Sequence, residues 1–292
     1  MPVDHVRTWL GGVVRARVAG PRREELISEL KSATATEPGW VSKGSAAWLV
    51  HSDVAAFVGG LRALLLQSLH PLAMAGVAQH SDYRDDPWGR LQRTSAFLAR
   101  TTFGSATQAA EACATVRKVH ERVIGTAPDG RPYTANDPHL LAWVHLCEVD
   151  SFLVAHQRYG RPRLDADQAD AYVAEMARVG RELGVLEPPT DVASLARALD
   201  AYRPELTGTR EAIEAARFLL VTPPLPLPAR PFYAVLAAAA VETLPGWTRE
   251  MLRLPVRPPL IGALEPALVR PAGEFLVRSL RWALTSPFRA PA

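Results

Sequence analysis

The hydrophobic and polar positions along the chain follow a helical repeat almost throughout. Residues Asp53 to Leu69 are apolar nearly all round, which is typical of a buried helix. Residues Trp88 to Thr102 predict a second helix. A third is expected to begin after Ser105, which forms a capping-box pattern with Gln108, and to run to about Gly125.

Three further helices are marked by the residues at their ends, where caps, an early proline or a following glycine signal the boundary. They are one that begins at Asp137-Pro138 and runs to Tyr159 with Gly160 past its end, one from Asp165 to Leu183 closed by Gly184, and one capped by Thr190 that runs to about Tyr202.

Turn signals separate these helices. Residues 125–136 contain Asp129-Gly130, a turn or hairpin signal. The proline run from Pro223 to Pro228 cannot lie inside a helix, and residues Arg230 to Arg289 predict three short helices broken by prolines. We therefore expect an all-α fold, a bundle of buried and amphipathic helices. The main helical domain would span residues 1–222, and the C-terminal segment 223–292 would pack on the same domain.

Composition and charge argue against several classes of protein. The chain is 48% hydrophobic and 22% charged, near the globular average. Its net charge of +3 comes from arginines that are spread along the chain, so no clustered basic stripe indicates a nucleic-acid partner. Residues 1–23 do not resemble a signal peptide, and no apolar run reaches the length of a transmembrane helix. We expect a soluble, cytoplasmic protein; its oligomeric state is left open.

Many common catalytic motifs are missing from the sequence. It has no GxGxxG, GxxxxGK[ST], GxSxG or HExxH, and neither cysteine belongs to a CxxC. No Glu-x-x-His occurs, which argues against a ferritin-like di-iron site. The lack of CxxCH means that any haem would not be attached covalently in the c-type manner.

Six of the eight histidines fall between His70 and His156, so we expect the chemistry to centre there. On the third predicted helix, His120 lies in the middle of an apolar face, with Arg117 one turn before it. By spacing alone, a core histidine bonded to a carbonyl is the more common explanation. The alternative is an axial haem ligand, because a neutral imidazole on an apolar wall suits haem iron. Arg117 could then pair with a propionate.

A second group of polar residues lies on the helix predicted at Trp88 to Thr102. Arg90, Arg93 and Thr94 stand at i, i+3 and i+4, so they share one face. A solvated helix face explains this pattern as well as the polar edge of a pocket beside Phe97 and Leu98 does.

The order and spacing of these pieces resemble the MpaB and latex-clearing-protein family of haem oxygenases, over roughly Gly44 to Leu206. The residues that carry the resemblance are His70-Pro71, Gly76, His80-Ser81, Arg90-x-x-Arg93-Thr94, His120-x-x-Val123-x-Gly125, Tyr133-x-Ala135-x-Asp137-Pro138 and Trp143-Val144-His145.

The resemblance implies an all-helical protein that holds non-covalent haem b (Fe). It implies His120 as the proximal iron ligand, and Arg90 and Thr94 as matches to a conserved arginine and threonine. Where rubber-cleaving members have a lysine three residues after that arginine, this chain has Arg93. That departure, and the lack of a recognisable secretion signal, favour a small substrate over polymeric rubber.

We therefore expect a haem b oxygenase that uses O2 on a small hydrophobic substrate, such as an alkene or a prenyl-bearing molecule. Arg93 and Thr94 are the candidate catalytic residues. The candidates for haem binding are His120, Arg90, Thr94, Arg117, His70, His80 and His145, with His145 as the alternative iron ligand. A non-catalytic haem or small-molecule carrier and a haem-dependent dehydrogenase or desaturase remain open as alternatives.

Overall fold

The computed structural model describes residues 20–254 and 259–284, with side chains of residues 269–282 in the second stretch. These residues form thirteen α-helices, two short 3-10 helices and one small β-hairpin, which confirms the predicted all-α fold. The α-helices are α1 Arg23–Thr34, α2 Ala46–Ser52, α3 Ala56–Gln67, α4 Pro71–His80, α5 Pro87–Phe103, α6 Ala106–His120, α7 Pro138–Tyr159, α8 Ala166–Leu183, α9 Val192–Ala201, α10 Arg210–Val221, α11 Arg230–Glu242, α12 Gly246–Met251 and α13 Pro259–Leu284. The 3-10 helices are Arg203–Glu205 and Leu227–Ala229.

Local capping residues begin and end the helices close to where the sequence predicts. Ser105 and Gln108 form both bonds of the capping box of α6. Gly184 ends α8 in the left-handed region, at φ 110°, which a residue without a Cβ adopts at little cost. The predicted cap of α9 is wrong by one residue, because Asp191 and not Thr190 accepts the first-turn hydrogen bond.

Helix α6 is shorter than predicted. It ends at His120, and the chain enters strand β1 (Ile124–Thr126), which pairs antiparallel with β2 (Pro132–Thr134) through the turn expected at Asp129-Gly130. The predicted last helical turn is lost because its backbone joins the hairpin; the Ala135 amide donates to the carbonyl of Val123 at 2.9 Å. His120 is therefore the last residue of its helix and not the middle of a longer apolar face.

Helices α3 and α7 pack along each other and bring the main core together. Gly59 allows the close approach, since a Cβ there would lie 2.9 Å from Cδ1 of Phe152. The core around them contains the fully buried Trp143, Tyr172 and Leu65. Trp143 satisfies its indole by donating to the carbonyl of Gln67 at 3.0 Å.

A second core cluster joins the C-terminal helices to the bundle. Ala237, Ala239 and Ala240 of α11 pack with Val58 and Leu61 of α3. The proline run separates α10 from α11, as predicted. The prediction that all three following helices are short is wrong, because α13 has 26 residues and includes Pro266 and Pro271. A proline removes one helical hydrogen bond but keeps a helical φ, so it need not end a helix. The predicted end at residue 289 lies outside the described residues.

Four helices were not predicted from the sequence pattern: α1, α2, α4 and α10. Within residues 20–254 and 259–284, no single helix combines the length and hydrophobicity needed to cross a membrane. Helices α2 and α3 meet both conditions only as a pair, and they are bent by 92° at their junction.

Candidate functional site

The burial of the inward face of α5 varies along the helix. Thr101 is buried, and Phe97 and Leu98 are half-buried against the main core. Thr94 lies on the same face by helical spacing, one and two turns before these residues, but it is exposed. Arg90 and Leu91, one turn before Thr94, are half-buried again, so this face is exposed only around Thr94.

The exposure of side chains on the inward face of α6 increases toward the C-terminal end of that helix. Ala109 and Cys113 are fully buried, whereas Arg117 and His120 are half-buried. Helices α5 and α6 pack on each other and are joined only by Gly104 and Ser105, so they run antiparallel. The beginning of α5 and the end of α6 therefore lie at the same end of this helical hairpin. We call residues 90–94 and 116–120 the open end.

His120 is the histidine of the open end. Burial lowers its pKa, so the imidazole is neutral at neutral pH. Its Nδ1 is buried and has no hydrogen-bond partner among the described residues. A buried ring nitrogen without a partner is unusual in a folded protein, and it is a feature to expect where a ligand is to be bound.

Arg117 connects the open end to neighbouring parts of the bundle through hydrogen bonds. Its guanidinium donates a hydrogen bond to the carbonyl of Glu182, at the end of α8. Its own carbonyl accepts from Nδ2 of Asn136 at 3.0 Å. Arg117 thus positions the helical turn that carries His120, and its expected role in binding a propionate stays a prediction.

The three polar residues of α5 have different surroundings. Arg90 is half-buried and donates to Oγ of Ser81 at 2.9 Å. Arg93 is 68% exposed and lies 3.4 Å from the carboxylate of Asp86, which is 56% exposed. Thr94 donates to the carbonyl of Arg90 at 3.1 Å, a bond within its own helix. Arg93 and Thr94 are therefore the exposed members of this group, whereas Arg90 is half-buried.

The motif His80-Ser81 ties α4 to both sides of the open end. Nε2 of the exposed His80 lies 3.0 Å from the carbonyl of Ile124, four residues after His120. Ser81 accepts the hydrogen bond from Arg90. His80 is thus held by the strand that follows α6.

His145 lies in a different environment, enclosed between α7 and α8. It is 5% exposed, and burial lowers its pKa to about 4. Its Nε2 has no hydrogen-bond partner among the described residues, but a Cβ on Gly180 would lie only 2.9 Å from that atom. There is no room at Nε2 for a flat cofactor unless α8 moves. One turn further along α7, burial raises the pKa of Glu148 to about 7.

His70 lies at the other end of α4 from His80, about 15 Å away along the helix axis, given 1.5 Å per residue. The structure places it in a group that the sequence analysis did not single out. Its Nε2 lies 3.5 Å from Oε2 of Glu205, whose carboxylate also contacts Nε2 of His139 at 2.9 Å. We call His70, His139 and Glu205 the His70 cluster. No local pattern signals it, because its members are spread from residue 70 to residue 205.

Two cavities lie elsewhere on the described residues. One of about 250 Å³ is lined by polar side chains that include Ser81, Arg84 and Glu214. The other, of about 480 Å³, is lined by α7 residues such as Leu153 and by Glu242. Neither cavity is lined by His120 or His145.

Comparison with known proteins identifies relatives over part of the chain. It is 34% identical over 110 residues to two proteins described as uncharacterized, Mb2261 of Mycobacterium bovis and Rv2237 of Mycobacterium tuberculosis. Each match covers 37% of this chain and 43% of the relative, so the chain matches less than half the length of these relatives. No solved structure matches the chain significantly.

A family model extends the comparison over most of the chain. The model described as ER-bound oxygenase mpaB/B'/Rubber oxygenase, catalytic domain, matches residues 48–278. The match includes all of the open end and continues beyond the resemblance seen in the sequence at Gly44 to Leu206, across the proline run and into α13. The chain therefore belongs to the mpaB and rubber oxygenase family.

Proposed function

We propose that this chain is a haem b-dependent oxygenase that uses O2 on a small hydrophobic substrate of the alkene or prenyl-bearing class. The observation that carries the proposal is the neutral His120 at the open end, whose buried Nδ1 has no partner among the described residues, in a chain of an oxygenase family. The haem would bind at the open end.

The residues of the open end have the chemistry that haem b requires. A neutral imidazole is the form that binds iron, and no protein hydrogen bond to Nδ1 of His120 is lost when the ring reorients toward it. Arg90 and Arg93 supply positive charge within one helical turn, which suits the two propionates. Phe97 and Leu98 supply an apolar wall. His145 suits the iron less well, because Gly180 closes off its Nε2.

Bound haem supplies an iron that activates O2 and exchanges electrons. The chain's own residues would hold the cofactor. A guanidinium does not coordinate iron in the way that the neutral amine of a lysine can, so Arg93 would not be an iron ligand. It would pair with a propionate or donate a hydrogen bond, with the hydroxyl of Thr94 as a second donor. Arg117 would hold His120 in place through Glu182.

Purification of the full chain tests the cofactor. We expect a coloured protein whose pigment acid–acetone extracts and whose pyridine haemochrome spectrum is that of haem b. We expect His120→Ala to lose the haem while its circular dichroism stays helical. His145→Ala, a matched loss of a buried imidazole, should keep at least part of it. A colourless wild-type protein that also fails to take up added haemin would refute the proposal. Haem loss from His145→Ala but not from His120→Ala would reverse the assigned ligands.

Oxygen consumption tests the reaction. The haem-loaded protein should consume O2 when a prenyl-bearing alkene is added, and not when the matching saturated alkane is added. His120→Ala should lose this consumption together with the haem. A haem-loaded protein that consumes no O2 with any alkene would instead be a carrier.

A further inference from the structure

The His70 cluster draws its three side chains from three separate elements. His70 is the residue that precedes α4, His139 is the second residue of α7, and Glu205 ends the 3-10 helix at Arg203–Glu205. One ligand atom from each lies within 4.8 Å of the others. Tertiary packing, and not a local motif, therefore assembles two imidazoles and a carboxylate at one point.

His70 is the unexplained member of this cluster. Its side chain is 1% exposed, its Nδ1 has no hydrogen-bond partner among the described residues, and its Nε2 has only the long 3.5 Å contact with Oε2 of Glu205. His139 and Glu205, in contrast, already contact each other at 2.9 Å and are partly exposed. A pairing of His139 with Glu205 alone would explain those two residues but would leave a buried polar ring without a partner, which is costly.

The spacing is close to that of a metal centre. With bonds of about 2.0 to 2.2 Å, the ligand atoms of a tetrahedral site lie about 3.3 to 3.6 Å apart. The distances from Glu205 to the two imidazoles, 3.5 and 2.9 Å, are already near this range. The two imidazoles need to approach each other by at most about 1.5 Å to reach this range.

A tyrosine orients the ring of His139 as a metal ligand is usually oriented. The hydroxyl of Tyr202 donates to the carbonyl of His139 at 2.8 Å and lies 3.2 Å from Nδ1 of its ring. The ring is therefore held with Nε2 toward Glu205 and His70. Metal-binding histidines typically have their second ring nitrogen held by such a partner.

We propose that His70, His139 and Glu205 bind one divalent transition-metal ion, for which Zn²⁺ has the matching ligand chemistry. Two imidazoles and a glutamate are a known catalytic zinc ligand set, and they leave a fourth position for water or an anionic group. The site is separate from the open end, since His70 lies at the far end of α4 from His80. It does not depend on the proposed haem.

Calorimetric titration of the tag-free, chelator-dialysed full chain with ZnCl2 tests the site. We expect one equivalent to bind with a Kd of roughly 1 µM or lower. Glu205→Gln changes an exposed side chain to one of the same shape, so the fold should survive, and it should weaken binding by at least about tenfold. Glu187→Gln, the same change at another exposed glutamate, should bind like wild type. His70→Ala is not used as the main test, because removing a buried side chain can unfold the protein.

Two further measurements tie the binding to these residues. Zn²⁺ should raise the melting temperature of the wild type and of Glu187→Gln but not of Glu205→Gln, because the ion binds only the folded cluster. X-ray absorption at the zinc edge, which ignores haem iron, should show two imidazole ligands. The proposal is overturned if wild type binds no Zn²⁺ below roughly 100 µM. Equal binding by Glu205→Gln and Glu187→Gln would overturn it as well.

Discussion

Replacing Glu148 by glutamine should raise the free energy of unfolding above that of wild type, and the gain should be larger at high pH than at low pH. Glu148 is partly buried on α7, and burial raises its pKa from 4.5 to about 7. The raised folded-state pKa means that the folded protein keeps a proton that the unfolded chain loses above pH 4.5. The carboxyl therefore costs the wild type more stability as the pH rises, up to about pH 7, and no more beyond it.

The size of the effect follows from these two pKa values. The difference between them corresponds to about 3 kcal/mol of lost stability at high pH. Between about pH 5.5 and pH 8 the change is about 2 kcal/mol, and solvent reaching the partly exposed side chain reduces it to about 1 to 2 kcal/mol. Glutamine resembles the protonated acid in shape and does not titrate, so it removes this cost.

Urea unfolding at the two pH values measures the effect. The free energy of unfolding of Glu148→Gln minus that of wild type should be larger at pH 8 than at pH 5.5 by the amount above. All other titrating groups are common to both proteins and cancel in this comparison. Glu187→Gln is the same change at an exposed position. Its free energy of unfolding minus that of wild type should be the same at pH 5.5 and at pH 8. If Glu148→Gln also shows no pH dependence, the carboxyl is solvated and the reasoning from burial is wrong.

Two predictions concern the packing of buried side chains in the helical bundle. Arg62 is 2% exposed and pairs with Asp150 at 2.7 Å, so Arg62→Ala should lower the free energy of urea unfolding by about 3 to 5 kcal/mol, because it leaves that carboxylate without its partner; a loss below 1 kcal/mol would contradict this. Gly180→Ala should cost about 1 to 3 kcal/mol in the same assay, because its methyl group would press on the ring of His145. Most of that cost should disappear in the background of His145→Ala, and equal costs in the two backgrounds would exclude the contact.

The candidate site could be predicted from the sequence only in outline. The residues of the open end follow from helical spacing within α5 and within α6, and from the short connection between these helices. The different surroundings of His120 and His145 do not follow, since both lie on mostly apolar stretches of sequence. Gly180, 35 residues after His145, is what closes off its Nε2. The partners of Arg90 and Arg117 belong to other helices as well.

The sequence by itself determined the all-α fold and the main helices. The bounds of α5, α7 and α8 lie within one residue of those predicted, because prolines, capping side chains and a left-handed glycine act within a few residues of the helix end. The hairpin that shortens α6 was visible only as a turn signal, since its strands compete with the helix for the same backbone groups. The His70 cluster was decided by tertiary structure alone. It brings Glu205 to His139 across 66 positions of the chain, and no periodic pattern records a contact over that separation.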